Sequence, residues 1–374
     1  MESLPLPWIV LLVLTVAAGV TRLSGGLLIR LAVRQRWLDA AGSEAHKPER
    51  STPTPNVGGV AVLLGLAAAA ALCGWWVGLW GADADSVALS GRLTGWVQVT
   101  AAVLLLHAAG LIDDRRPLPP SGKLLIQGAA ASLVVFGADL TILDAAGPVV
   151  SAAVSLIWYV GVVNALNFLD NMDGLAGGVT AVTAATYAAA AFSASQPLVG
   201  LVAAAVTGAA MGFLLLNRPP ARLYLGDGGS LPLGLLLAIL AAALTYHDAD
   251  DQPRWHAVLM PLMVFAVPIY DAAVVTALRL RAGRSPWIGD LNHLSHRLVR
   301  LGLTQRQTLC VIVLITAVTS LSGLVTAAAG ALPAVLAATQ VLLLLVVLGL
   351  LERPGYQEAS GLKNDPQTRN APSG

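Results

Sequence analysis

Charged residues are scarce in this 374-residue chain. Asp, Glu, Lys and Arg make up 11% of it, where ordinary soluble domains carry about a quarter. Hydrophobic residues make up 56%, and the mean hydropathy is +0.73. That balance excludes a water-soluble globular domain and leaves a membrane protein. Neither sign of charge is in excess: the net charge is +1, so nothing favours a polyanionic partner and no nucleic acid is expected. Cysteine is nearly absent. Cys73 and Cys310 lie in apolar runs without metal-ligand spacing, which excludes a disulfide framework and a thiolate zinc site; both read as small buried hydrophobes. The first residues, "MESLPLPWIVLLVLTVAAGV", lack a basic n-region, so they read as a first spanning helix and not as a cleaved signal.

What is present is a series of apolar windows. Crossing a bilayer takes about 20 mostly apolar residues. Windows of that size fall near 6–29, 57–80, 95–112, 124–143, 147–168, 175–194, 198–216, 230–246, 255–278, 308–328 and 331–351. They predict an all-α polytopic membrane protein with about eleven transmembrane helices. Residues 1–352 form one membrane-embedded catalytic domain, and the polar stretch from Glu352 onward opens a disordered tail over 353–374. All but three of the 22 Lys and Arg residues fall in one set of alternate loops or in the tail. Arg92 and Arg254 lie on the other side, and Arg22 lies within the first span. The positive-inside rule then puts the N-terminus outside and the C-terminus in the cytoplasm.

The side rich in basic residues also collects the polar groups that a membrane protein should avoid. "GLIDDRRPLPPSGKLLIQ" ends the third window with Asp113 and Asp114 and carries Lys123. "NALNFLDNMDGLAGG" closes the fifth with Asn164, Asn167, Asp170 and Asp173, spaced three apart along one slowly drifting helix stripe. "NRPPARLYLGDGGSLPLG" carries Asn217 and places Asp227 in a glycine-rich turn before the eighth. "SPWIGDLNHLSHRLVRLG" carries Asp290, His293, His296 and Arg297. Charges at the bilayer are costly, so a cluster on one face is a functional hypothesis by default. Carboxylate and amide oxygens suit Mg²⁺, with Mn²⁺ the alternative. Backbone N–H groups in the turn at Gly226–Ser230 favour a phosphate. Together these point to metal-dependent phosphoryl-group chemistry on the cytoplasmic face. The extracytoplasmic acids Asp248, Asp250 and Asp251 read as a solvated loop. Tryptophans at span ends, Trp75, Trp76, Trp80, Trp96 and Trp255, read as an interfacial belt.

These stretches, in this order, together with "STPTPNVGG" from Ser51 to Gly59, resemble the polyprenyl-phosphate N-acetylhexosamine-1-phosphate transferases. The resemblance covers roughly residues 46–306. It implies an enzyme, a Mg²⁺-dependent phosphotransferase in which a lipid phosphate attacks the β-phosphorus of a UDP-sugar and UMP leaves. It also implies site residues. Asp113 and Asp114 match the paired aspartates that place the lipid phosphate, and Lys123 the lysine that holds it. Asn167 and Asp227 match metal-holding positions. Asp170 and Asp173 match the acidic pair lining the nucleotide-sugar site, and Asn217 an amide near the nucleotide. His293, His296 and Arg297 match the loop that closes on the diphosphate.

The chain departs from the family pattern at four places. Asn171 stands for a glycine, Ser295 for a histidine, Gly228 for threonine or alanine, and Asn56 for a basic residue. "TPTPNVGG" and "NHLSHR" resemble the bacterial undecaprenyl-phosphate GlcNAc-1-phosphate branch more than the phospho-MurNAc-pentapeptide transferases. The expected partners are therefore undecaprenyl phosphate, UDP-GlcNAc, the lipid bilayer and, in a homodimer, a second copy. The expected place is the bacterial inner membrane. Two residues outside the motifs are also singled out: His107 as a helix-packing histidine, and Asp271 as an acid to which the resemblance gives a functional or cleft-lining role. The rival class is a secondary transporter, which would hold its acids near the bilayer midplane and in two related halves. No internal repeat is visible here, and the acids sit at span ends.

Overall fold

The computed structural model describes residues 5–35, 54–80, 86–143, 146–244, 258–283, 292–328 and 330–353. Ser51–Pro53 of the first motif, the 248–251 acids, Trp255, Asp290 and the tail beyond Arg353 lie outside the described residues.

The described residues form a bundle of helices. In order these are α1 (Leu6–Gln35), α2 (Gly58–Trp80), α3 (Ser86–Asp113), α4 (Pro120–Ser132), α5 (Pro148–Leu169), α6 (Leu175–Ser193) and α7 (Pro197–Asn217). Then come α8 (Asp227–Ala243), α9 (Leu259–Val264), α10 (Ala266–Arg281), α11 (Leu294–Arg300), α12 (Gln305–Ala328) and α13 (Ala331–Leu351). Proline opens α4, α5 and α7, where its missing N–H has no helical partner to lose. Among the described residues, eight helices are long and apolar enough to cross a membrane: α1, α2, α3, α5, α6, α7, α12 and α13. The protein is thus an all-α polytopic membrane protein. The remaining three windows fall on shorter or broken helices. Window 124–143 runs through α4 into a wider π-type turn over Leu133–Gly137. Window 230–246 is α8, of 17 residues. Window 255–278 is split into α9 and α10 around Phe265.

The α9–α10 break follows from Pro268. Its ring crowds the carbonyl four residues back, at Val264, and it has no N–H to give there. α9 ends at that residue.

The bundle has a dense centre and an apolar outside. In α6 and α7, 67% of the spanning window is buried, against 22% in α1 and α13. On the outside, Val149, Ile157 and Leu23 are more than 70% exposed. Such side chains are stable only against lipid tails. Cys310 is exposed in the same way on α12, while Cys73 is half-buried; neither is fully buried, contrary to the sequence reading. Close packing in the centre depends on small residues. A side chain at Gly208 or Gly212 would collide with the α1 backbone at Leu14 or Ala18. The four-residue spacing lets α7 lie directly on α1.

α8 is the innermost helix of the site, and it contains Pro232. The missing amide leaves the Gly228 carbonyl without its helical donor. His107 Nδ1 fills that place at 2.5 Å. A carbonyl only accepts, so Nδ1 carries the proton. His107 is therefore the packing residue expected from sequence. Replacing it by Leu leaves a buried carbonyl unpaired and should cost about 1–3 kcal/mol. In a Pro232→Ala background, which restores the amide, the same substitution should cost much less. Unfolding in detergent measures both; equal losses in the two backgrounds would exclude this pairing.

Candidate active site

The site is built where helix ends meet. Asp113 is the last residue of α3, Lys123 sits in the first turn of α4, Asn167 in the last turn of α5, and Asp227 opens α8. Lys123 Nζ lies 2.5 Å from Asp113 Oδ2 and 3.0 Å from Asp227 Oδ2. Asn167 Nδ2 donates to Asp227 Oδ1 at 2.8 Å and to Ser230 Oγ at 2.9 Å. Asp113 Oδ1 also accepts from the Leu118 backbone N–H at 2.7 Å, which fixes the α3–α4 loop. Lys123 remains about a third exposed. Two carboxylates thus converge on one cation at a surface that a ligand can reach.

Asp114 does something different from its neighbour. Its two oxygens accept the backbone N–H groups of Asp227 and Gly228, at 2.8 and 3.0 Å. Asn56 Nδ2 adds a third bond to Oδ1 at 3.2 Å. The carboxylate therefore caps α8 from another helix, meeting both its free amides and its positive dipole end. Close approach demands glycine here. A side chain at Gly110 would run into the Asp227 backbone. Gly226 turns the chain at φ +68, and a side chain there would collide with Asn56 and Asp114. The first motif is held by the same segment. Tyr224 N donates to Pro55 O at 2.9 Å, Gly58 N to Tyr224 O at 2.8 Å, and Gly59 N to Leu225 O at 3.0 Å.

The acidic motif divides in two. Asp170 is half-buried and lies close enough for its charge to act on Asp114. Asp173 is 3% exposed, with Oδ2 accepting the Ala221 N–H at 2.8 Å. Asn217 is equally buried: its Oδ1 accepts from Gly174 N and its Nδ2 donates to Leu223 O, both at 2.8 Å. Asp173 and Asn217 thus hold the α7–α8 loop against the start of α6. Asn164 pairs reciprocally with Gln127 across α4 and α5, at 2.7 and 3.2 Å.

The histidine segment is a third group, anchored behind the site. His293 Nδ1 meets Asp271 Oδ2 at 2.8 Å, and Leu294 N donates to Asp271 Oδ1 at 2.5 Å. Asp271 is fully buried, so it does not line the cleft as the sequence suggested; its oxygens meet His293 and Leu294 instead. Arg297 is also fully buried, while His296 is half-buried. Two family departures meet each other: Ser295 Oγ donates to Asn171 Oδ1 at 2.6 Å. Phe168, near the end of α5, links this group to the cluster around Asn167. The His293 ring lies 5.7 Å from it on centroids, and the Arg279 guanidinium lies 5.7 Å from its centroid.

Sequence reasoning missed Ser230, Tyr270 and Glu352. Ser230 stood in a quoted motif as a turn residue. Glu352 was placed at the head of the polar tail, yet it is fully buried. Its only signal was an acid directly following an apolar helix.

The geometry first defines a class: a multi-pass membrane protein whose acids, amides and a lysine gather where helix ends meet. Comparison with known proteins then gives the family. Residues 96–245 match the model of Glycosyl transferase family 4. A decaprenyl-phosphate N-acetylglucosaminephosphotransferase of Mycolicibacterium smegmatis is 31% identical over 340 residues, covering 83% of this chain and 80% of its own. A Bacillus subtilis protein named "Probable undecaprenyl-phosphate N-acetylglucosaminyl 1-phosphate transferase" is 26% identical over 306 residues, 79% of each chain. A phospho-N-acetylmuramoyl-pentapeptide-transferase of Kocuria rhizophila is 31% identical over 270 residues, 57% of this chain and 69% of its own. The chain belongs to glycosyl transferase family 4 and is a membrane phosphotransferase.

Burial pushes the Asp114 carboxyl up to about 7, with the charges of Asp227 and Asp170 adding to the rise and the two backbone amides opposing it. The folded protein therefore holds a proton there between about pH 4 and 7 that the unfolded chain releases. That contribution to stability is complete below about pH 4 and is lost as pH rises through about 7. Without added divalent cation, the melting temperature of the wild type should fall relative to Asp114→Asn over this window. Parallel curves would exclude a raised Asp114.

Proposed function

We propose that the chain transfers GlcNAc-1-phosphate from UDP-GlcNAc to undecaprenyl phosphate, releasing UMP, on the cytoplasmic side of a bacterial inner membrane. The observation that carries this reading is the Asp113–Lys123–Asp227–Asn167 cluster at helix ends, in a chain whose relatives are named as N-acetylglucosamine-phosphate transferases of undecaprenyl or decaprenyl phosphate. A transporter would keep its acids at the midplane; here Asp113 ends one helix and Asp227 begins another.

The reaction is one displacement. An oxygen of the lipid phosphate forms a bond to the β-phosphorus, and the bond from that phosphorus to the bridging oxygen breaks. UMP leaves with the bridging oxygen. The lipid phosphate is already an anion at neutral pH, so positioning outweighs deprotonation. Lys123, at the surface, supplies the charge that receives it, and Asp113 holds the ammonium in place. The donors in this cluster are carboxylate and amide oxygens, a set that fits Mg²⁺. Asp227 and the Asn167 carbonyl oxygen would hold the ion. Bound there, it supplies neutralisation of the negative diphosphate. Asp114 keeps the α8 terminus in register with the cluster, and Asp170 extends the acidic wall toward the nucleotide.

The test is UMP release by purified protein with undecaprenyl phosphate and Mg²⁺, offering UDP-GlcNAc and UDP-MurNAc-pentapeptide separately. Release from UDP-GlcNAc alone is expected. Release from the pentapeptide substrate alone would replace this reading by its family neighbour, and uptake without UMP by a transporter. EDTA should stop turnover and Mg²⁺ restore it. Asp227→Asn should lower kcat by at least about a hundredfold while the protein still inserts and folds; a wild-type rate would remove Asp227 from the mechanism.

A further inference from the structure

The resemblance gives Arg297 a place on the substrate diphosphate. In the structure its guanidinium is committed elsewhere. Nε donates to Glu352 Oε2 at 2.9 Å, NH2 lies 3.4 Å from Asp271 Oδ1, and NH1 donates to the Asn292 carbonyl. Arg297, Asp271 and Glu352 are all fully buried. Glu352 spends its other oxygen on Tyr270, whose hydroxyl donates to Oε1 at 2.5 Å. Tyr270 and Asp271 are neighbours on α10, and Asp271 also holds His293 and Leu294. The short helix α11 is therefore clamped from two directions: by α10 through Asp271, and by the end of α13 through Glu352.

We infer that Glu352, at the end of the last helix, is a positioning residue that sets the histidine-bearing helix α11 by fixing Arg297. Glu352 lies more than a hundred residues beyond the 96–245 stretch that matches the family, and no motif contains it. The chemistry requires a carboxylate there. A buried guanidinium needs planar, bidentate-capable acceptors, and Asp271 alone must divide its two oxygens among His293, Leu294 and Arg297. Removing Glu352 leaves Arg297 with a buried, half-compensated charge. The guanidinium then turns toward Asp271 and competes with His293 for it. Displacing a side chain by about an ångström can cost on the order of a hundredfold in rate.

This inference deepens the transferase reading and rests on it for the kinetic arm of its test. The other arm does not. Full-length protein in detergent is prepared as wild type, Glu352→Gln, Tyr270→Phe, Arg297→Met, Glu352→Met and the Arg297→Met/Glu352→Met pair. Amide exchange is followed over residues 292–300, and UMP release gives kcat and KM. Glu352→Gln should speed exchange in 292–300 while α5 to α8 exchange as in wild type, and should lower kcat about ten- to a hundredfold. Tyr270→Phe should give the same pattern, weaker. The double variant should be no slower than Arg297→Met alone, because Glu352 acts through Arg297. Unchanged exchange in 292–300, or losses that multiply in the pair, would overturn the inference. A general rise of exchange across the bundle would overturn it too, since Glu352 would then be a support of the whole fold. If a Met variant fails to fold, Gln at 352 and Phe at 270 still decide it. If wild type releases no UMP, the transferase reading fails, and the exchange arm still judges the role of Glu352.

Discussion

The capping of α8 by Asp114 is the contact on which the site depends. A helix that begins inside a membrane protein exposes several amides with no partner, and here a carboxylate from the end of α3 takes two of them. That one contact sets the height of α8 against α3. It thereby places Asp227 beside Lys123 and Asn167, since both distances follow from where α8 starts. The glycines at 110 and 226 are consequences of the same contact, because the two chains approach too closely for any side chain. The strand-like pairing of Pro55–Gly59 with Tyr224–Leu225 holds the approach from the other side.

Around that point the polar groups sort into layers by what faces them. Asp113, Lys123, Asp227 and Asn167 face each other and the surface. Asp114, Asp173 and Asn217 face backbone amides and carbonyls, and so hold loops. Asp271, Arg297 and Glu352 face one another in the interior. Acids of the same type, some adjacent in sequence, do unlike work because their surroundings differ. Asp113 and Asp114 are the clearest pair: one meets an ammonium group, the other a helix terminus. A buried ionic cluster such as the third is poor support for stability, and its value here lies in fixing one arrangement of α11.

Much of this was legible from residues alone, and the reasons are specific. Apolar runs of membrane length announce helices because the bilayer admits little else. Polar side chains inside such runs are too costly to be incidental, so Asp113, Asn167 and Asp227 stood out without any coordinates. The window that broke into α9 and α10 carries a local cause, Pro268 in the first turn of α10. Glu352 could not be seen. An acid after the last apolar helix looks like the start of a solvated tail, and only a fold that brings α13 beside α11 gives it an arginine to meet.

Composition, hydrophobic period and motif order determined by themselves that this chain is a polytopic helical membrane protein with its polar chemistry at helix ends. They could do so because desolvation penalties act on each residue wherever the chain goes. Which acid meets the lysine, which caps a helix and which anchors an arginine was decided only by tertiary structure. Those roles depend on a second residue from tens to more than a hundred positions away, and no local preference encodes the distance between two helix ends.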